Sequence, residues 1–206
     1  MYVMRLLSHA DRPRIDALLT ARTLWDQQHQ RPHHGQNPAL LSQLADSHQS
    51  AQVIGMEEDG QLVGMLTLMV REPGLVGWTA EERQEEALSV TTAIAHPAQH
   101  DQHLARIASL WLADYIARLP GPPIWVRSAV RESRLALYLK DVCGWQLVRG
   151  ARDPDGHRSY RLQLRAQIRP GLPHLVASDA ELAAPLADLE SVSVSDAPAR
   201  PDLLPR

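Results

Sequence analysis

A stretch near the middle of the chain combines residues that favour an anion-binding unit. Residues 88–95 are rich in small and β-branched side chains, His96 and Pro97 follow, and from Leu104 the apolar residues recur every three or four positions. This pattern predicts a strand, a tight polar turn and a long helix. The first N–H groups of a helix are unpaired and carry the positive end of its dipole, so the turn is suited to bind an anion.

Metal binding is a second chemistry that this stretch suggests. His96, His100 and His103 are spaced by four and three residues, which would align three imidazoles on a continuous helix. Pro97, however, separates His96 from the helix that follows. We therefore expect no metal site.

The composition argues against several classes of protein. The formal net charge is -3 and no basic stripe stands out, so we expect no nucleic acid partner. No apolar run approaches the length of about 20 residues that crosses a bilayer, and residues 1–14 lack the apolar core of a signal peptide, so we expect a cytoplasmic protein without a membrane partner. The sequence contains neither a Gly-x-Ser-x-Gly elbow nor a Walker loop. Cys143 is the only cysteine, and we expect an inert, partly buried thiol.

Strand and helix patterns flank the central unit on both sides. Asp59 and Gly60 between two apolar runs predict a β-hairpin, and the prolines and glycine over 120–123 predict the end of the long helix. Polar and apolar residues alternate over 159–166, as in an antiparallel strand with one solvent-exposed face. The predicted strands cover residues 1–7, the two arms of the hairpin, 88–95, 124–130, 145–149 and 159–166. The predicted helices begin near Asp11, Leu40, Leu104 and Arg134.

The C-terminal segment differs in composition from the rest of the chain. Residues 169–206 contain recurrent prolines, no aromatic residue, and acidic side chains scattered among Ala and Ser. Such a segment buries too little apolar area to offset the conformational entropy that is lost on ordering. We therefore predict a folded domain over residues 1–168 and a Pro/Ala-rich, disordered tail over 169–206.

The order of these elements, together with two local motifs, resembles the GNAT superfamily of acyl-CoA-dependent N-acetyltransferases. The first motif is AIAHP at 93–97 with the turn at 100–105, which lies where that family has V-H-P-x-x-R-x-x-G-x-G. The second is RLALY at 134–138 followed by Gly144 and Trp145, which is similar to the family's A-x-x-L-Y and G-F/W signature. The resemblance spans about residues 2–166 of the sequence.

This resemblance implies a mixed α+β fold. A central, mostly antiparallel sheet of six or seven strands would be splayed between strands four and five. About four helices would flank the sheet, and the tail would follow them.

The resemblance also implies acetyl-CoA as the co-substrate. The main chain of Ile94 and Ala95 would pair with its pantetheine arm, and Arg131 occupies the place where the family often has an asparagine near the cofactor. The backbone N–H groups that would hold the pyrophosphate belong to His100, Asp101, Gln102, His103, Leu104 and Ala105.

The turn departs from the family pattern at two positions. His103 replaces the glycine that lets a phosphate approach the backbone closely, and Asp101 adds a negative charge. Protonated His100 or His103, or nearby Arg106, would offset that charge. These departures leave open a second hypothesis, a non-catalytic ligand-binding protein of the same fold that has lost productive use of coenzyme A.

Two further residues receive catalytic roles from the resemblance. Tyr138 would be the general acid that returns a proton to the coenzyme A thiolate, because a phenol is protonated at neutral pH. A carboxylate at the start of strand four, Glu86 or its neighbour Glu85, would be the base that deprotonates the amine. The implied activity is direct transfer of an acetyl group from acetyl-CoA to a primary amine of a small molecule or peptide, by a monomer or homodimer.

Overall fold

The computed structural model describes residues 1–30, 51–69, 77–98, 103–119, 121, 123–152, 156–179 and 182. The predicted short helix near Leu40, residues 100–102 of the predicted turn and the predicted tail from 183 lie outside these residues. Within them, no helix is long and apolar enough to cross a membrane.

Strands and helices follow one another largely in the predicted order. The strands are β1 (Tyr2–Leu6), β2 (Ala51–Glu58), β3 (Gln61–Met69), β4 (Ala87–Ala95), β5 (Trp125–Val130), β6 (Gln146–Arg152), β7 (Arg158–Arg165) and β8 (Val176–Ser178). The helices are α1 (Arg12–Gln28), α2 (Ala80–Gln84), α3 (Leu104–Ala117) and α4 (Ser133–Asp141), and short 3-10 turns cover His9–Asp11 and Leu172–His174.

All the strands belong to one sheet, in the order β6-β7-β5-β4-β3-β2-β1-β8. Neighbouring strands are antiparallel except for β4 with β5 and β1 with β8, which are parallel. The predicted mixed fold with a mostly antiparallel sheet is therefore confirmed. The sheet has eight strands rather than six or seven, because β8 comes from the segment that the composition assigned to the tail.

The two faces of the sheet carry different helices. On one face α3 and α4 pack in a core where Ile116, Val126 and Leu162 are all 0% exposed. On the other face α1 packs through Ile15 and Leu18. Because each fully buried apolar side chain contributes about 1.5–3 kcal/mol, these two layers provide the main stabilisation of the fold.

A cluster of charges fixes the start of α1. Pro13 lies in the first turn of the helix, where a missing N–H costs little. Asp11 is the N-cap residue of this helix, but its side chain makes no capping hydrogen bond and accepts hydrogen bonds from Arg5 at 2.5 and 2.9 Å. Arg5 and Arg14 also pair with Glu57, each at 2.7 Å. Two arginines and two carboxylates therefore join β1, β2 and α1.

The folded domain continues beyond residue 168. Trp111 Nε1 on α3 donates a hydrogen bond to Ser178 Oγ on β8 at 2.8 Å, and the Tyr115 hydroxyl donates to the Leu182 carbonyl. Val176 and Leu182 are buried in the same core as α3. The expected boundary at 168 is therefore corrected, because residues 169–179 and 182 pack against α3 and pair with β1.

Candidate active site

β4 and β5 are paired over only part of their length. Their parallel register ends where Val90 lies opposite Ser128, although β4 continues to Ala95. A β-bulge leaves Thr91 outside the register between β4 and β3, and a bulge bends a strand and increases its twist. The Ser128 hydroxyl donates to the Val90 carbonyl at 3.0 Å at the last paired position. The predicted splay between strands four and five is thus present as a gap beyond Val90.

The main chain of β4 points alternately toward β3 and into this gap. His96 N–H donates to the Val63 carbonyl of β3 at 2.8 Å, and in an antiparallel pair every second residue makes such bonds. The register therefore turns the main chain of Ile94 toward β3 and that of Ala93 and Ala95 into the gap. Of the two residues predicted to line the gap, Ala95 does so with its main chain, whereas Ile94 bonds to β3.

The N-terminus of α3 follows the open end of the gap. His103 is the N-cap residue, with φ -86° and ψ -19°, and no side-chain hydrogen bond caps the helix. The first hydrogen bond of the helix runs from the Ile107 N–H to the His103 carbonyl, at 2.8 Å. The N–H groups of Leu104, Ala105 and Arg106 therefore have no partner within the helix. The His103 and Arg106 side chains are exposed, whereas Leu104 is buried in the core.

The turn between β4 and α3 begins at His96. The Nδ1 atom of His96 accepts a hydrogen bond from Ala98 N–H at 3.2 Å, which gives this histidine a structural role. His100, Asp101 and Gln102 lie outside the described residues. In the described part of the chain, no group of three or more His, Cys, Asp and Glu side chains is placed to hold a metal ion.

Tyr138 on α4 belongs to a series of hydrogen bonds that reaches α3. Its hydroxyl is hydrogen-bonded to the thiol of Cys143, which is also hydrogen-bonded to Ser109 of α3. The Ser109 hydroxyl accepts a hydrogen bond from Trp145 Nε1 at 2.8 Å and donates one to the Ala105 carbonyl at 2.7 Å. Ser109, Cys143 and Trp145 are buried. This series therefore fixes the half-buried Tyr138 relative to the first turns of α3.

The surroundings of Tyr138 keep its hydroxyl protonated. Burial, and then Cys143, raise the pKa of Tyr138 above its ordinary value, while the positive charge of Arg106 acts in the opposite direction and is outweighed. Burial also raises the pKa of Cys143, so both groups carry their protons at neutral pH. The hydrogen bond from Ser109 to the Ala105 carbonyl connects this group of side chains to the first turn of α3. A protonated phenol in this position can donate a proton to a leaving group.

Measured from the open end of the gap along the strands, Tyr138 lies about as far in as the point where β4 and β5 begin to separate. β5 ends with Val130 at the open end of the gap, and α4 starts at Ser133 and runs back along the sheet. Tyr138 lies about 7.5 Å along the axis of α4 from Ser133. Ser128, where the pairing of β4 with β5 ends, lies about 6.6 Å back from Val130. The candidate acid and the inner end of the gap are therefore at similar depth.

Solved structures of acetyltransferases share this architecture, whereas no protein-family model and no curated protein sequence matches the chain. The ribosomal-protein-S18-alanine N-acetyltransferase from Escherichia coli aligns with a TM-score of 0.57 and 13% identity over 82% of this chain and 96% of its own. PaiA N-acetyltransferase from Thermoplasma acidophilum, in complex with coenzyme A, aligns with a TM-score of 0.55 and 12% identity over 80% and 99%. An acetyltransferase of the GNAT family from Listeria monocytogenes aligns with a TM-score of 0.54 and 15% identity over 79% and 95%. The chain has the GNAT fold.

Within this GNAT fold, the two carboxylates before β4 have different surroundings. Glu85 pairs with Arg127 of β5, whose side chain is 1% exposed. Glu86 is exposed and makes no ion pair with any residue that the structure describes. Since the gap opens only beyond Val90, about 13 Å further along β4, Glu86 is not brought together with Tyr138.

Arg131 follows β5 at the open end of the gap in the GNAT fold. It is exposed in the short connection between β5 and α4. The next residue, Glu132, is the N-cap of α4, and no side-chain hydrogen bond caps that helix either. Two uncapped helix N-termini, those of α3 and α4, therefore lie at the open end.

Sequence patterns did not indicate a group of arginines on the α1 face of the sheet, of which Arg127 and Arg161 are buried. Arg127 lies over the Trp78 ring at 4.6 Å, Arg149 pairs with Glu82, and Arg161 is 2% exposed. The prediction that one face of residues 159–166 is exposed to solvent is therefore wrong at Arg161. Arginines on three neighbouring strands and several glutamates over 81–86 are the signal that could have indicated the cluster.

Proposed function

We propose that this protein is an N-acetyltransferase that transfers the acetyl group of acetyl-CoA to a primary amine of a small molecule or peptide. The observation that carries the proposal is the gap between β4 and β5, which opens toward the N-terminus of α3 at the depth of Tyr138. The likeness to acetyltransferases, one of them solved with coenzyme A, supports it. The acetyl donor, the amine acceptor and a cytoplasmic location all belong to this proposal.

The residues in the gap fit the arm of the carrier. Ala93 and Ala95 direct main-chain N–H and C=O groups into it, and an extended ligand with amide groups pairs with such an edge as an added strand does. The uncapped N–H groups of the first turn of α3 fit the diphosphate, because a helix N-terminus favours an anion. Arg106, in the same turn, adds a positive charge.

In the proposed reaction, the amine nitrogen attacks the thioester carbonyl carbon directly. A C–N bond forms and the C–S bond breaks, while the β4 N–H groups that point into the gap stabilise the charge that develops on the carbonyl oxygen. Tyr138 donates its hydroxyl proton to the leaving sulfur. The nitrogen, which becomes positively charged on attack, releases its second proton to solvent as the amide forms, and Tyr138 recovers a proton from the same solvent.

The amine also has to lose a proton, since it arrives as an ammonium ion. Glu86 was the expected base, and a distance of about 13 Å along β4 separates it from the gap. In the proposal Glu86 therefore accepts this proton through bridging water and not by direct contact.

Binding of acetyl-CoA, measured by calorimetry, is the first test of the proposal. We expect a dissociation constant of about 1–100 μM, and thiol release in a panel of amines would then identify the acceptor. No binding at millimolar acetyl-CoA would contradict the proposal. That result would favour a ligand-binding protein of the same fold, for which His103 in the glycine position is the supporting observation.

Tyr138→Phe tests the chemical step, because it removes the hydroxyl and keeps the ring. We expect kcat to fall about 100-fold, within the range that acid catalysis contributes, while the Kd for acetyl-CoA stays within a factor of two. A variant with the wild-type kcat would remove Tyr138 from the mechanism.

A further inference from the structure

The hydrogen bond that the His96 side chain makes at the end of β4 depends on the protonation state of the imidazole. Nδ1 of His96 accepts from the Ala98 N–H at 3.2 Å. A ring nitrogen accepts a hydrogen bond only when it carries no proton, so this bond requires the neutral imidazole with its proton on Nε2. The Ala98 N–H is always a donor. Uptake of a second proton by His96 therefore converts the acceptor into a donor and breaks the bond.

No other contact of the His96 side chain replaces this bond. Within the part of the chain that the structure describes, the half-buried side chain has no further hydrogen bond and no ion pair. Pro97, between the two partners, has no N–H to offer. The His96 main chain is held separately, because its N–H donates to the Val63 carbonyl at 2.8 Å. Protonation of His96 therefore releases the exposed Ala98 N–H to water while β4 stays paired with β3.

The turn that this bond closes lies directly after the part of β4 that lines the gap. Ala95 directs its main chain into the gap, and residues 96–98 follow it without a break. β5 does not support this end of β4, because the parallel register ends where Val90 lies opposite Ser128. On the gap side, the chain that leaves Ala95 therefore depends on the turn for its conformation.

We propose that His96 is a pH-sensitive positioning residue, whose protonation opens the turn after β4 and thereby weakens the binding of coenzyme A. The consequence for coenzyme A rests on the proposed function, whereas the opening of the turn does not. With a neutral imidazole, the end of β4 is preorganised for an extended ligand. After protonation, the ligand has to order the turn when it binds, so its apparent affinity falls.

Charged groups on the neighbouring elements influence the pH range over which the bond opens, but they do not change which atom accepts it. On β3, Val63 and Gly64 next to this end of β4 carry no charge. The groups that count lie on α1, which packs against the same two strands, in the first turn of α3, after β5, and in the part of the turn outside the described residues. They are Arg22, Asp26 and His29; His103 and Arg106; Arg131 and Glu132; and His100 and Asp101.

His96→Asn and His96→Leu test the opening of the turn as a matched pair. The asparagine side-chain oxygen accepts from the N–H two residues further on, as in an Asx-turn, and it does not titrate. Leucine has no acceptor. The measurement is the exchange of the Ala98 amide hydrogen with water by NMR from pH 8 to pH 5, the range in which histidines usually titrate, corrected for the intrinsic effect of pH.

We expect protection of the Ala98 amide to fall on acidification in the wild type, to persist in His96→Asn and to be lost at every pH in His96→Leu. Equal protection in the wild type and His96→Leu at pH 8 would overturn the proposal. So would a fall in His96→Asn that matches the wild type. Thermal unfolding at pH 8 checks that the fold of each variant is intact.

Calorimetry with coenzyme A measures the consequence for binding. At about 0.5 M salt the screening length is roughly 4 Å, so the charge that His96 gains has little direct effect on the ligand. Protonation of the ligand and of the other histidines is common to all variants. From pH 8 to pH 5 we expect the Kd of the wild type, relative to that of His96→Asn, to rise about threefold to tenfold, as for the loss of one hydrogen bond.

The two measurements separate this proposal from the proposed function. If the Ala98 amide loses its protection in acid but coenzyme A binds at neither pH, the turn opens as proposed and the transferase proposal fails. If coenzyme A binds with the same Kd ratio at both pH values, the transferase proposal stands and the role of His96 in binding is overturned.

Discussion

At the scale of single residues, Cys143 has a positioning role that its sequence context does not reveal. The sequence indicates an inert thiol, and the structure buries it. Its hydrogen bond to Tyr138 nevertheless orients the hydroxyl that would protonate the leaving group, and it raises the pKa of Tyr138. A residue that does no chemistry can thus set the pH range in which its neighbour acts.

We predict that Cys143→Ala shifts the alkaline limb of the pH profile of kcat to lower pH. The variant removes one of the causes that raise the pKa of Tyr138, so the phenol ionises earlier and ceases to be an acid. The measurement is kcat against pH for the wild type and the variant.

Cys143→Ser is the matched control for this prediction. The serine hydroxyl retains a hydrogen-bonding group next to Tyr138, so the alkaline limb should return toward the wild-type position. A fall in kcat that is the same at every pH in both variants would contradict the positioning role.

The sequence indicates candidate site residues more directly where a side chain decides their role than where the main chain decides it. Tyr138 could be named from a short motif around it. Ile94 was named together with Ala95 because they are adjacent, but adjacent residues direct their main chains to opposite sides of a strand. Which of the two lines the gap depends on the register with β3 and on the bulge at Thr91, and no residue type specifies either.

At the scale of elements, the free edge of β4 is the part of the gap that a substitution can test directly. We predict that Ala95→Pro lowers the affinity for acetyl-CoA about tenfold, because proline removes an N–H that points into the gap. The fold should persist, since this N–H makes no bond to β3. Calorimetry and thermal unfolding are the measurements.

Ile94→Pro is the control for this prediction. It removes an N–H that pairs with β3 and therefore costs a hydrogen bond between the two strands. We expect this variant to unfold at a lower temperature than Ala95→Pro. The reverse order would show that the register of β3 with β4 had been misread.

β8 is an element that sequence patterns could not indicate. Val176, Ala177 and Ser178 form a strand of three residues, too short to show an alternation, and the strand exists only because β1 lies next to it. By contrast, Asp59 and Gly60 specify the turn of the β2 and β3 hairpin through positive φ angles of 49° and 78°, a property of the residues themselves. Local chemistry was readable from the sequence, and distant pairing was not.

We predict that the C-terminal boundary of the domain lies beyond β8. Ending the chain after residue 168 removes three buried side chains, Leu172, Val176 and Leu182, at about 1.5–3 kcal/mol each. The melting temperature should fall by roughly 10 °C or more. Ending it after residue 182 should leave the melting temperature unchanged, and an equal loss in both truncations would contradict this boundary.

At the scale of the whole molecule, charged clusters make the stability depend on pH. The pKa of Asp11 is held below its usual range by hydrogen bonds from Arg5. Burial acts to raise the pKa of Glu57, but hydrogen bonds from Arg5 and Arg14 outweigh it and lower it. A carboxyl whose pKa is lower in the folded than in the unfolded protein stabilises the fold above its unfolded pKa, and this stabilisation is lost as the pH falls.

We predict that the melting temperature falls steeply below about pH 4, the region of the unfolded pKa values of Asp and Glu. Asp11→Asn should lower the free energy of unfolding at pH 7 by about 2 kcal/mol and make the acid limb less steep. Asp16→Asn is the control: this half-exposed residue of the same helix makes only a long ion pair with Arg12, at 3.9 Å, so the substitution should change neither quantity. Identical acid limbs for the wild type and Asp11→Asn would contradict the role of this cluster.

The overall architecture followed from the order of the elements more securely than from any single motif. A hairpin, a strand that leads through a turn into a long helix, and a final hairpin limit a chain of this length to few topologies. The arginine cluster around Arg127 and Arg161 was missed because alternating charge predicts a solvent face. Here α2 covers that face, and only a capping box between Thr79 and Glu82 indicates this helix in the sequence.

The contact between α3 and the segment after β8 also decides where the chain leaves the described fold. The Leu182 carbonyl is held by Tyr115, which lies roughly 16 Å along α3 from Leu104. β8 runs parallel to β1, away from the end at which β4 and β5 separate. A solid support or a fluorescent reporter coupled at Leu182 would therefore be attached at the end of the molecule opposite the gap between β4 and β5.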